Sequence, residues 1–257
     1  MRRGNFKVRI LIFVAIAAFA FLRKCSQEEV NPYTGKKQAI SLSPEQEITI
    51  GLQSAPSMAQ QHGGLHPDNR YQTLVDNVGN KLVNNSIAKD TPYKYEFHLL
   101  ADENTINAFA LPGGQIFITQ ALFAKLENED QLAGVLGHEI GHVLGKHSNE
   151  RITNANFWKT LAMGGSAIDM GGVAQQYGQG QLLKNGRGDE LESDELGVHF
   201  MIDAGYNPEE MIDVMEILKA AAGPNRVPEF QSSHPDPENR IEKIREAIKK
   251  YKNASYN

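Results

Sequence analysis

Cysteine is nearly absent: Cys25 stands alone among 257 residues, so no disulfide can close within the chain. Excess positive charge is absent too. Lys and Arg number 26 against 31 Asp and Glu, giving a net charge of −5, and with no basic footprint no nucleic-acid partner is expected. Nor is there an unbroken apolar run of the ~20 residues that comfortably span a bilayer; the run at residues 10–22 falls short of it. What is present is ordinary globular material, 40% apolar and 22% charged, in a length that suits one sizeable domain plus an anchor.

The N-terminus opposes the reducing compartment that scarce cysteine usually suggests. Arg2, Arg3, Lys7 and Arg9 come without an acid, the apolar run follows, and Arg23 and Lys24 close it. This is the layout of an export signal, and basic flanks that snorkel make a short spanning helix feasible. Basic residues before the run outnumber those after it, which leaves residues 26–257 on the non-cytoplasmic side. Ala18-Phe19-Ala20 offers a small-x-small cleavage site, and Cys25 sits where a lipidated cysteine would, but Arg23 and Lys24 replace the small residues expected before it. An uncleaved anchor over residues 1–25 needs neither feature and is the expectation, with a tether at 26–44 and one domain at 45–257.

Along that domain, Ser43-Pro44-Glu45 starts a helix, and Leu74, Val75, Val78 and Leu82 mark a second. Three short strand-like runs follow, at 95–99, 106–110 and 115–119; Leu111-Pro112-Gly113-Gly114 makes the last two a hairpin. Helices are expected at 119–127, 129–160, 189–204, 208–222 and 236–252. The glycine-rich stretch 163–188 reads as a mobile loop or as a lid over a cleft. The fold class is α+β, predominantly helical with a small β-sheet.

Residues 138–142 read His-Glu-Ile-Gly-His. Leu132, Val135, Leu136, Ile140, Val143 and Leu144 recur around them at helical steps. The two histidines therefore project from one helix face and can converge on one Zn²⁺, with Glu139 placed to take a proton from a water held there. With eight histidines in the chain, chance produces this pattern in roughly one chain in a hundred, so a metal hydrolase is favoured over incidental histidines. A hydrolytic site needs a third ligand, and His147, Glu190, His199 and His234 are the candidates. The extended pattern HExxHxxGxxH fails by one residue: Gly145 matches, but position 148 is Ser148 and the histidine is His147. Glu190 and Asp194 share a face of the next helix, so one could bind metal while the other orients a ligand histidine. Glu192 remains a rival on spacing alone.

Taken together, Gly137 to His142, Glu190-x-x-x-Asp194 and Ser233-His234-Pro235 resemble the membrane-associated zinc endopeptidases that include HtpX, BepA, LoiP and the CaaX prenyl proteases. The exported BepA- and LoiP-like subgroup is the most similar, through Asn31-Pro32-Tyr33-Thr34-Gly35 and Asn107-Ala108-Phe109-Ala110-Leu111-Pro112-Gly113-Gly114. The resemblance runs from about residue 31 to 245. It implies a gluzincin-type zincin fold and one Zn²⁺ per chain on His138, His142 and Glu190, with Asp194 behind them. Glu139 is then the general base. His234 either polarises the carbonyl or caps the metal at rest, and Arg240 occupies a position suited to an oxyanion. Asn107, Ala108, Phe109 and Ala110 become the edge strand to which a substrate peptide adds. Unfolded or misfolded envelope proteins are the implied substrates, and the membrane the implied partner, on the periplasmic side of a bacterial envelope. The chain stops soon after Arg240, so the helical-repeat domain of BepA is not expected. The alternative is a chaperone-like or latent protein with a closed four-ligand zinc site and no turnover.

Overall fold

The computed structural model describes residues 6–168, 170–221, 234 and 239–254. They fall into two compact units, one drawn from Met1–Ser43 and Lys146–Gly186, the other from Pro44–Gly145 and Arg187–Asn257. The architecture is α+β and dominated by helices.

The first unit opens with helix α1, Phe6–Ser26, followed by the antiparallel pair β1, Glu28–Val30, and β2, Lys37–Ala39. Asn31 makes the reversal between them. Its side-chain oxygen accepts the amides of Tyr33 at 2.9 Å and Thr34 at 3.3 Å, and Gly35 takes the positive φ of 72° that the turn requires. The expected tether thus contains a hairpin. Helix α6, His147–Gly165, packs along α1, and Asn149 at its start accepts the amides of Ser41 and Leu42. No helix among the described residues is long and apolar enough to cross a membrane.

Two helical expectations need correction. The run expected at 129–160 breaks into two helices, α5 (Glu129–Leu144) and α6, because Lys146 turns left-handed at φ 55°. Its ammonium, 2.8 Å from Glu29, holds that turn. The glycine-rich stretch is helical rather than a loop: a 3-10 turn at Ser166–Ile168 leads into α7, Gly171–Asp203. Each helical glycine costs about 1 kcal/mol. Between them, however, stand good helix formers, Ala174, Gln175, Gln179, Leu182 and Lys184, and Gly178 sits where a Cβ would come 2.7 Å from the Trp158 side chain.

In the second unit α2 (Pro44–Gln61) and α3 (Asn69–Asn84) precede a three-stranded sheet of β3 (Glu96–Leu100), β4 (Ala108–Ala110) and β5 (Gln115–Thr119). The order is β3-β5-β4, with β5 parallel to β3 and antiparallel to β4, pairing Ala108 with Ile118 and Ala110 with Ile116. The hairpin expected from the sequence is therefore present, and its strand β4 lies at the sheet's edge. The short helix α4 (Gln120–Phe123), α5, the C-terminal part of α7, α8 (Glu210–Ala221) and α9 (Arg240–Ala254) complete the unit. Every residue of β5 is buried, as is nearly all of α5. Leu99, Ile116, Ile118, Leu136, Ile140 and Phe200 form the apolar centre that fixes both. Asn128 caps α5, accepting the Gln131 amide at 2.8 Å, and Glu129 and Asp130 complement the dipole of its first turn.

Candidate metal centre and active site

Helix α5 carries His138 and His142 one turn apart, and α7 carries Glu190 and Asp194 one turn apart. The two helices can bring these side chains together only if their backbones nearly touch, and small residues at four-residue steps allow it. A Cβ on Gly141 would lie 2.9 Å from Ser193 Cα, and one on Gly137 would lie 3.3 Å from Gly197 Cα. This seam is the functional feature the sequence reading missed, although Gly137/Gly141 and Ser193/Gly197 share the spacing that would reveal it.

Across the seam the donor atoms converge. His138 Nε2 is 3.0 Å from His142 Nε2 and 3.3 Å from Glu190 Oε2. Glu190 Oε1 is 3.4 Å from His142 Nε2. His234 adds Nδ1 at 3.1 Å from Glu190 Oε2 and 3.4 Å from His138 Nε2. Four ligands held tetrahedrally about 2.05 Å from a zinc ion stand about 3.3 Å from one another. The cluster matches that spacing, and a donor set of imidazoles with one carboxylate suits the ion. A further test agrees. Neither carboxylate oxygen of the fully buried Glu139 has a hydrogen-bond partner among the described residues; His234 Nε2 lies 3.6 Å from one of them. A buried carboxylate left this way is costly unless something polar occupies the site beside it.

The electrostatics point the same way. Burial alone would lower the pKa of His138, but hydrogen bonds to Asp194 and Glu190 raise it to about 9, so this spot favours positive charge. Burial opposes ionisation of Glu190, yet His138, His142 and His234 hold its carboxyl well below the usual range. Asp194 is likewise pushed up by burial and pulled further down by Arg240 and His138. Glu139 is raised, chiefly by burial.

The structure thus brings His138, Glu139, His142, Glu190, Asp194, His234 and Arg240 into one buried site. Glu192 is not part of this cluster, His199 is a half-exposed residue stacked on Tyr251, and His147 opens α6. Asp194 accepts from His138 Nδ1 at 2.8 Å and is gripped by Arg240 through Nε at 2.7 Å and a terminal nitrogen at 2.9 Å. Of the edge-strand residues, Asn107 spends its backbone on Thr119: its carbonyl accepts the Thr119 amide at 3.0 Å, and its amide donates to Thr119 Oγ1 at 3.1 Å. Leu111 likewise bonds to Gln115, so the alternation of an antiparallel ladder turns the backbone groups of Ala108 and Ala110 to the outer edge. His234 Nε2 donates there, to the Ala108 carbonyl at 3.2 Å. Phe109 faces away, stacked on Phe117 and beside His62.

Comparison with known proteins accords with this geometry. The model of peptidase family M48 matches residues 69–248. The chain is 28% identical to the mitochondrial metalloendopeptidase OMA1 of Schizosaccharomyces pombe, over 91% of this chain and 71% of that protein. It is 28% identical to the beta-barrel assembly-enhancing protease of Escherichia coli K12, over 82% of this chain and 45% of that protein. For the Yersinia pestis protein of the same name the values are 27%, 85% and 47%. The chain spans less than half the length of these two proteases.

Proposed function

The chain belongs to peptidase family M48, and on that premise we propose that it is a zinc endopeptidase in which His138, His142 and Glu190 hold the metal and Glu139 is the general base. Family and relatives make it a metalloendopeptidase; the identity of the ion and the part played by each residue are the proposal. The observation that carries it is the buried cluster of donor atoms at tetrahedral spacing with the Glu139 carboxylate beside it.

Zinc bound there supplies Lewis-acid polarisation of a water and of the scissile carbonyl. Glu139 takes a proton from the attacking water and delivers it to the leaving amine nitrogen, a task that its raised proton affinity suits. Asp194 accepts from His138 Nδ1, which fixes the tautomer that leaves the Nε2 lone pair for the metal. Arg240 clamps Asp194 through two charge-assisted bonds, and this positioning role comes before any help it gives to an oxyanion.

Substrate enters as an extended strand. The outward backbone of Ala108 and Ala110 offers a ladder to a peptide, and an unfolded chain presents extended segments freely, which supports unfolded or misfolded proteins as substrates. The basic N-terminus and the relative named for beta-barrel assembly support a membrane-anchored enzyme facing the periplasmic side of a bacterial envelope.

One observation favours a second state of the same site. His234 turns Nδ1 to the ligand cluster and Nε2 to the Ala108 carbonyl, so a single ring closes the fourth metal position and occupies the first rung of the substrate ladder. We read this as a resting cover that an entering strand displaces; a protein that never releases it would be the chaperone-like or latent alternative. Digestion of reduced, unfolded casein decides between them. Cleavage that chelator abolishes and zinc restores supports the enzyme, whereas no cleavage at any pH with zinc bound supports the closed protein.

A further inference from the structure

One face of the three-stranded sheet carries a row of rings. The register pairs His98 of β3 with Phe117 of β5, and Phe117 with Phe109 of β4, so the three side chains lie side by side across the strands. His98 stacks on Phe117 with centroids 4.7 Å apart and planes inclined by 26°; Phe117 stacks on Phe109 at 4.9 Å and 16°. Strands in a sheet are separated by about 4.7–4.9 Å, so each ring stands over its own strand and faces the next.

Both ends of the row are held. His98 Nε2 lies 2.9 Å from Gln115 Oε1. His62 flanks Phe109 at 5.4 Å, its own ring held by Asp102, whose Oδ2 is 2.9 Å from Nδ1. In the middle Phe117 is 1% exposed, whereas Phe109, at the edge beside the metal cluster, is half-buried.

The row can grow at that edge and not at the other. Beyond β3 the Gln72 side chain stands in for a peptide group, donating from Nε2 to the Phe97 carbonyl at 2.8 Å and accepting the Leu99 amide on Oε1 at 2.9 Å. Beyond β4 the backbone groups of Ala108 and Ala110 point outward. A peptide added there antiparallel has its residue opposite Phe109 in a non-hydrogen-bonded pair, where side chains come closest, with Cα atoms about 4.5 Å apart. The side chain of that residue lies on the Phe109 face, in line with the three rings. Its neighbours point to the other face, where the edge strand offers only the methyl groups of Ala108 and Ala110.

We propose that Phe109 is a specificity-determining residue: the substrate side chain opposite it becomes the fourth ring of the row, so the enzyme selects an aromatic residue at that one position of the bound strand. This rests on the strand-addition reading of the substrate and adds to it which side chain the strand must carry. An aromatic pair gains roughly three- to tenfold beyond plain apolar burial, so Phe is preferred to Leu at that position by such a factor.

Cleavage sites in unfolded casein, located by mass spectrometry, identify the position at which aromatic residues are enriched, and a peptide built on one such site then carries Phe or Leu there. The zinc-loaded wild type is expected to favour the Phe peptide in kcat/KM by roughly three- to tenfold. The Glu139→Gln protein is expected to bind the uncut Phe peptide more tightly than the Leu peptide by a similar factor. In Phe109→Leu, which fills space without a ring, the cleavage preference disappears, and Phe109→Tyr restores it. Each preference is a ratio within one preparation, so a loss of folded protein does not alter it. Methylating the backbone nitrogen of the neighbouring substrate residue, on the side away from the scissile bond, removes a donor of the ladder and is expected to abolish cleavage. Cleavage that N-methylation blocks but that shows no aromatic preference, or a preference that Phe109→Leu keeps, overturns the fourth ring and leaves strand addition standing. Cleavage indifferent to N-methylation overturns strand addition and the fourth ring with it. Zinc-loaded protein that cuts neither casein nor peptide overturns the peptidase reading itself.

Discussion

His138 turns its Nδ1 to Asp194 Oδ1 at 2.8 Å, and the same carboxylate is held from its other side by Arg240. A ring fixed in this way presents Nε2 to the His142 and Glu190 donor atoms without having to be reoriented. Asp194→Asn keeps the shape and loses the charge, so zinc affinity is expected to fall about 10- to 100-fold, read by competition with a fluorescent chelator. Arg240→Ala leaves a buried carboxylate without its cation and is expected to lower stability by about 3–5 kcal/mol. An Arg240→Ala protein with a wild-type urea midpoint and only a reduced kcat would return this residue to an oxyanion role.

The close approach of α5 and α7 gives a second prediction. A methyl at Gly141 meets the Ser193 backbone, so Gly141→Ala is expected to cost about 1–3 kcal/mol by overpacking and to weaken zinc binding with it. Gly180, helical with nothing within 4 Å of its would-be Cβ, is the control: Gly180→Ala is expected to stabilise by up to about 1 kcal/mol. Urea midpoints of the two variants, moving in opposite directions, check the pair.

How far these features could be read from sequence depended on whether they arise locally. HExxH is a helix-period motif, so the convergence of His138 and His142, with Glu139 beside them, is legible within one turn. The β4–β5 hairpin was equally visible, because Gly113 and Gly114 both take positive φ at the reversal. The choice of Glu190 over Glu192 depends on which face of α7 meets α5, a tertiary fact that spacing left open and family resemblance supplied. The clamp of Arg240 on Asp194 joins residues far apart in the chain and had no local signal. The glycine-rich helix is not legible locally, because its glycines lower helix propensity while the packing of Gly178 on Trp158 is a tertiary contact.

His234→Ala tests the cover. Removing a ring that touches both the ligand cluster and the Ala108 carbonyl is expected to raise casein hydrolysis by about tenfold, the worth of one hydrogen bond to a charged group, measured as initial rate at saturating zinc. A fall of similar size would mean that His234 serves the transition state instead.

Acid stability offers a prediction away from the metal. Burial raises the pKa of Asp102, but hydrogen bonds from His62, Thr105 and the amides of Asn104 and Thr105 outweigh it and hold the carboxyl down at about 2, against an ordinary value of 3.8. A depressed folded pKa contributes stability that is fully present above 3.8 and lost as pH falls through about 2. Wild type should therefore exceed Asp102→Asn in urea midpoint by a constant margin from neutral pH down to about pH 5. That margin should shrink below pH 4. A margin independent of pH would mean the Asp102 charge contributes nothing.

The central claim is that Glu139 moves the proton while other residues hold the metal, and Glu139→Gln tests it most directly. Purified wild type and Glu139→Gln are assayed side by side for zinc content and for cleavage of unfolded casein. The account predicts one zinc per chain in both proteins, with hydrolysis by Glu139→Gln reduced about 100- to 10,000-fold. A Glu139→Gln protein that carries zinc and cleaves casein at the wild-type rate would contradict it.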